Sequence, residues 1–220
     1  MNEQWEEHKW IFEPDGGLLD IYVQEVSIDV WMQLIDFINE NYNPHFGPSE
    51  EEGDTRSGID KDYVKRMFVD ESGELDRRST SFTIEGITVN CHFFLQDEIE
   101  FDIDPREFKQ QPQIGAVIKF MQAISYSLDR EVILTAEGAA EYPLITINVN
   151  EGLLKITSQA ELKKMYYKNY TMFSRIRGMY FRSLLKVLPL LGNSKFKNLL
   201  VSYVIGLTNA NNIHTATKKK

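Results

Sequence analysis

Ten apolar residues constrain the fold most: Phe82, Ile84, Ile87, Val89, Cys91, Phe93, Leu95, Ile99, Phe101 and Ile103 alternate with polar neighbours. Successive side chains of a strand point to opposite faces, so this stretch reads as three strands of an antiparallel meander with one dry face and one wet one. A dry sheet face needs a second layer to cover it. Two amphipathic helices supply that layer. After the N-cap candidate Ser27, Val30, Trp31, Leu34, Phe37, Ile38 and Tyr42 follow the helical period to about Asn41. Between Gln113 and Leu128, the stripe Ile114, Val117, Ile118, Met121, Ile124 and Leu128 does the same. A shorter helix is expected over Asp60 to Phe68, and further strands over Val132–Thr135, Leu144–Val149 and Leu153–Ile156. At the start, Lys9–Glu13 and Leu18–Gln24 flank Pro14-Asp15-Gly16-Gly17, which predicts a hairpin. Its second strand sets Leu19, Ile21 and Val23 inward and Asp20, Tyr22 and Gln24 outward. Residues 43–57, rich in Pro, Gly and Glu, are expected to be a loop. The expected fold class is α+β: an antiparallel sheet built of hairpins and a meander, with two or three packed helices and a mainly helical basic C-terminal extension.

Charge divides the chain. Its 220 residues carry 33 acidic and 24 basic side chains, a net charge of −9. Residues 1–150 hold 31 acidic against 11 basic and residues 151–220 hold 2 against 13, so a balance of −20 meets one of +11. Such a reversal suggests parts with different surfaces. The basic end either folds onto the acidic body or meets a partner of its own. The expected division is an acidic α+β domain over 1–157, a basic aromatic helical extension over 158–207 and a disordered tail over 208–220. One cysteine excludes a disulfide framework and a multi-cysteine zinc module. The acidic start does not read as a signal peptide, and no run of apolar residues is long enough to span a bilayer. The expectation is a soluble cytoplasmic protein.

The wet face of the meander holds the residues of most chemical interest. Glu98, Glu100, Asp102 and Asp104 alternate along one strand, ~6.5–7 Å apart. If the preceding strand turns back through Gln96-Asp97-Glu98, His92 faces Asp102, Phe94 faces Glu100 and Asn90 lies near Asp104. Three readings compete for this face. His92 with Asp102 and Glu100 could share a divalent ion, or His92 could work as an acid–base group with a pKa raised by its neighbours. The plainest reading is a solvated strand face. No HxH or HExxH spacing supports a ligand set. A row of like charges destabilises a sheet, which a cationic partner would relieve, so a surface for a basic partner is preferred over either chemical site. Cys91 alternates with His92 and is expected in the core as a small hydrophobe. Ser27, Ser81 and Ser125 lack the Gly-x-Ser-x-Gly context, and Asp15-Gly16-Gly17 has no helix behind it to cradle a phosphate. No catalytic residue, metal ligand set or cofactor is nominated.

Residues 158–187 interleave seven lysines and arginines with aromatic residues from Tyr166 to Phe181. This segment could pack on the same fold, lie on an anionic membrane surface, or bind nucleic acid. The acidic residues 1–150 would repel phosphates, which argues against nucleic acid as the main ligand.

The stretches Trp10-Ile11-Phe12-Glu13-Pro14-Asp15-Gly16-Gly17-Leu18-Leu19-Asp20-Ile21-Tyr22-Val23, Asn90-Cys91-His92-Phe93-Phe94, Asp97 to Glu107 and Val132 to Glu137 resemble small acidic bacterial proteins of unassigned biochemistry. In architecture and charge they also resemble immunity proteins of polymorphic toxin systems. The resemblance spans residues 5–150 and brings no catalytic residues. It implies a non-catalytic protein-binding module that neutralises a basic effector. The expected contact residues are Glu98, Glu100, Asp102, Asp104 and His92, with Glu50, Glu51 and Glu52 from the acidic loop. The alternatives are a metal-assisted or acid–base enzyme centred on His92 and Asp102, and a peripheral membrane protein held through residues 160–207.

Overall fold

The computed structural model describes residues 9–47 and 56–168. The chain divides into two units, Met1–Met165 and Tyr166–Lys220, and the fold below is that of the first. Nine strands form one antiparallel sheet in the order β3-β2-β4-β5-β6-β1-β7-β8-β9. They are β1 (Leu19–Gln24), β2 (His45–Gly47), β3 (Arg56–Ser57), β4 (Ser79–Ile84), β5 (Ile87–His92), β6 (Glu98–Ile103), β7 (Val132–Ala136), β8 (Ile145–Asn148) and β9 (Leu153–Ile156). Three helices join them: α1 (Ile28–Asn41), α2 (Lys61–Val69) and α3 (Gln111–Leu128). The architecture is α+β, as the alternation and the helical stripes predict.

The meander forms because its inward residues bury completely. Ile87, Val89, Cys91, Ile99, Phe101 and Ile103 are inaccessible to solvent. The β4–β5 hairpin turns on Glu85 and Gly86, both at positive φ, which is the geometry that matches the twist of the two strands. Gln113 Nε2 of α3 donates to Glu85 O at 3.1 Å and ties this turn to the helical layer. α1 and α3 pack on each other, and α3 crosses β7, β8 and β4. Trp31 is fully buried between the rings of Phe68 and Phe93, with centroids 5.3 Å away on each side. In α1 the buried stripe also takes in Ile35, while Phe37 is only partly covered. Ser27 stands at the N-cap, but its hydroxyl makes no capping bond. α2 is capped by Asp60, whose carboxylate accepts from Tyr63 N at 2.9 Å.

Three expectations need correction. Lys9–Phe12 is a 3₁₀ turn, with no hairpin to Leu18–Gln24. β1 lies in the middle of the sheet, bonded to β6 on one side and β7 on the other, so neither edge is left for a preceding strand. Ile11 and Phe12 serve the core from the turn instead. The segment expected as loop over residues 43–57 contains β2 and β3. There His45, Phe46 and Gly47 pair with Ser81, Thr80 and Ser79, and the buried ring of Phe46 holds the short strand in place. Finally, the β5–β6 register is two residues off the expected one. Asn90 faces Asp102 and His92 faces Glu100, because the connection takes up residues 93–97 where a tighter turn was expected. Leu95, expected inward, is 53% exposed.

The start of the basic extension, residues 159–168, is helical, and Leu162 packs on the core. The remaining extension, the tail, and Glu50, Glu51 and Glu52 lie outside the described residues. Among the described residues, no helix is long and apolar enough to cross a membrane.

Candidate functional site

α1, α2 and α3 pack their buried residues into the core on one side of the sheet. Strand alternation puts Asn90 and His92 (β5), Glu98, Glu100 and Asp102 (β6), Asp20, Tyr22 and Gln24 (β1), and Ile133 and Thr135 (β7) on the opposite side, where Asp20, Tyr22, Ile133 and Thr135 are buried and the β5 and β6 residues are partly exposed. Pairing sets Asp20 opposite Asp102, Tyr22 opposite Glu100 and Gln24 opposite Glu98. Two adjacent strands, β6 and β1, therefore crowd four carboxylates side by side at the centre of the sheet.

The crowding is relieved unequally. Asp102 is well satisfied. Its Oδ2 meets His92 Nε2 at 2.5 Å and its Oδ1 accepts from Asn90 Nδ2 at 2.7 Å. That hydrogen bond is the main reason the His92 pKa is raised, outweighing the burial that would lower it; the charges of Asp102, Glu100 and Asp20 add to it. The His92 ring stacks on Phe94, with centroids 4.7 Å apart and planes within 3°. Asp20 is only 3% exposed. Its Oδ2 accepts from Gly138 N at 2.6 Å and from Tyr22 Oη at 2.9 Å. Burial still raises its pKa, with smaller contributions from Asp102 and Glu137. The Tyr22 phenol is pushed up as well, by burial first and then by its bond to Asp20.

Glu98 and Glu100 are the outward members. Glu98 Oε2 accepts from Gln24 Nε2 at 3.0 Å. The Glu100 carboxylate accepts no hydrogen bond among the described residues. Its pKa is raised, first by partial burial, then by Asp20, with Glu98 and Asp102 adding to the effect while His92 opposes it. Asp104 does not belong to the row. It lies past the end of β6, caps the turn Pro105–Glu107, and accepts from Arg106 N at 2.8 Å and from the Arg106 guanidinium at 2.7–2.9 Å. Arg106 holds its pKa low. Beside the row, a cleft of about 460 Å³ is lined by Tyr22, Gln24, Glu25, Arg130, Glu131 and Ile133.

Sequence reasoning brought His92, Glu98, Glu100 and Asp102 to one face and placed Phe94 there too. It missed that Asp20 and Tyr22 join them, since that depends on strand order. Cys91 is fully buried, and burial pushes its thiol pKa well up. Among the described residues, no group of three or more His, Cys, Asp or Glu side chains is arranged to hold a metal ion. Comparison with protein-family models, with curated proteins and with solved structures found no match. What this face does must be argued from its own chemistry.

Proposed function

We propose that the chain is a non-catalytic protein-binding module of the immunity type, which occupies a basic effector with the acidic face of its sheet opposite the helices. The observation that carries this reading is Glu100: a half-buried carboxylate, disfavoured as an ion where it sits, with no donor among the described residues. A partner's ammonium or guanidinium would supply that donor and relieve the crowding with Asp20, Asp102 and Glu98. His92 and Arg106 already compensate Asp102 and Asp104, which leaves Glu98 and Glu100 as the contact carboxylates. Such complementarity mainly raises the association rate and selectivity. Affinity capture from the source cells tests the reading. A basic protein held by the parent chain should be released by salt and weakened about tenfold or more in Glu98→Gln/Glu100→Gln. A partner held equally by both chains would contradict it.

Acid–base chemistry at His92 is the second reading, favoured by the short bond to Asp102. It requires a substrate to reach a ring that is 21% exposed and stacked on Phe94. A substrate converted by the parent chain should then lose turnover, with binding kept, in His92→Gln.

A further inference from the structure

The β5–β6 connection carries two adjacent phenylalanines with opposite fates. Phe93 is buried, with the rings of Trp31 and Phe46 5.3 and 6.0 Å away. Phe94 is 63% exposed. An exposed aromatic on a slack loop would need no explanation, but this connection is held firmly. Trp31 Nε1 donates to Gln96 O at 3.1 Å, and Val26 N donates to Asp97 O at 3.0 Å. One face of the Phe94 ring is fixed by the parallel imidazole of His92. Among the described residues no other ring or guanidinium stacks on it. His92 in turn is locked by Asp102 and lies opposite Glu100. The result is a pre-set aromatic plane stacked on the very residue that lies opposite a carboxylate lacking a donor.

A planar cation fits this pairing better than a spherical one. A guanidinium can lie flat on an aromatic face while its edge N–H groups reach a carboxylate, whereas an ammonium is a compact point charge. We propose that Phe94 and Glu100 together form an arginine-reading element, so that the partner is a protein presenting an arginine to the centre of the acidic face. This rests on the reading of that face as a docking surface, and it adds which cation the surface selects and by what geometry. Leu95, the next residue of the same connection, is also exposed, at 53%. Aromatic anchors of this sort, held before the partner arrives, lose little entropy on binding.

Octa-arginine and octa-lysine peptides are the probes, titrated into the full-length chain at about 0.15 M salt and followed by calorimetry. The arginine peptide should bind about two- to fivefold more tightly, the range expected of an exposed cation–π contact. Phe94→Leu, a change at an exposed position, should bring that ratio to about one by weakening the arginine peptide more than the lysine peptide. A parent chain without arginine preference, or a preference that survives Phe94→Leu, would overturn the arginine-reading element alone. Undiminished binding of both peptides by Glu98→Gln/Glu100→Gln would overturn the docking surface itself.

Discussion

Asp20 shows how a single polar residue can be expensive and still required. Its carboxylate is nearly out of water and pushed toward its neutral form, yet one oxygen receives both Gly138 N and Tyr22 Oη. Asparagine can offer a carbonyl oxygen in the same place without the charge. Asp20→Asn is therefore expected to match or exceed the parent in stability at neutral pH, whereas Asp20→Ala strands two donors and should cost about 1–3 kcal/mol. Urea unfolding of the two variants checks this, and equal losses would show that the charge itself is needed. His92 gives the complementary test. Its raised pKa means that the folded state favours the protonated ring, held by Asp102 with Glu100 and Asp20 nearby and Ser79 opposite on β4. That stabilisation is fully present below the ordinary value of 6.5 and is lost as pH rises through the folded pKa. The stability gap between the parent and His92→Gln should thus be widest in mild acid and narrow toward alkaline pH. A gap constant with pH would remove the charge from the His92–Asp102 bond.

At the scale of elements, β2 depends on one side chain. It is three residues long, and Phe46 contributes its buried core contact, edge-on to Tyr63 and Phe93. Phe46→Ala should cost about 3–5 kcal/mol, as loss of a buried phenylalanine does, and should speed hydrogen exchange of the Ser79–Ser81 amides. A loss under 1 kcal/mol would make β2 an incidental pairing. The elements also show what could be read from sequence alone. Alternation marked β4, β5 and β6 because one face is dry and the period of two is unbroken. The helical stripes marked α1 and α3 for the same reason. Register was less legible: a slip of two residues keeps every side chain on its face, so the pattern cannot tell His92 opposite Asp102 from His92 opposite Glu100. β1 was visible as a strand, but its place between β6 and β7 depends on long-range pairing that no local pattern encodes. For the same reason the company of Asp20 at the site stayed hidden, while Glu98, Glu100 and Asp102 were plain. Asp104 was misplaced because Pro105 ends the strand and turns its carboxylate back to Arg106.

Across the molecule, the sheet separates two tasks. One side is sealed by α1, α2 and α3 around Trp31, Phe101 and Phe120 and supplies stability. The other gathers charge that stability alone does not call for. Like carboxylates on neighbouring strands weaken a sheet, and only part of that cost is offset within the described residues, by His92 and Asn90 at Asp102 and by Gln24 at Glu98. The central claim is that the remainder is relieved by a cation from another protein, with Glu100 as its first point of contact. Carboxyl ¹³C titration of Glu100 tests this directly, on the full-length chain alone and saturated with octa-arginine. Alone, Glu100 should titrate above the ordinary glutamate value, and with the peptide bound its midpoint should fall below that value. A midpoint that stays where it was when the peptide saturates the chain would contradict the account.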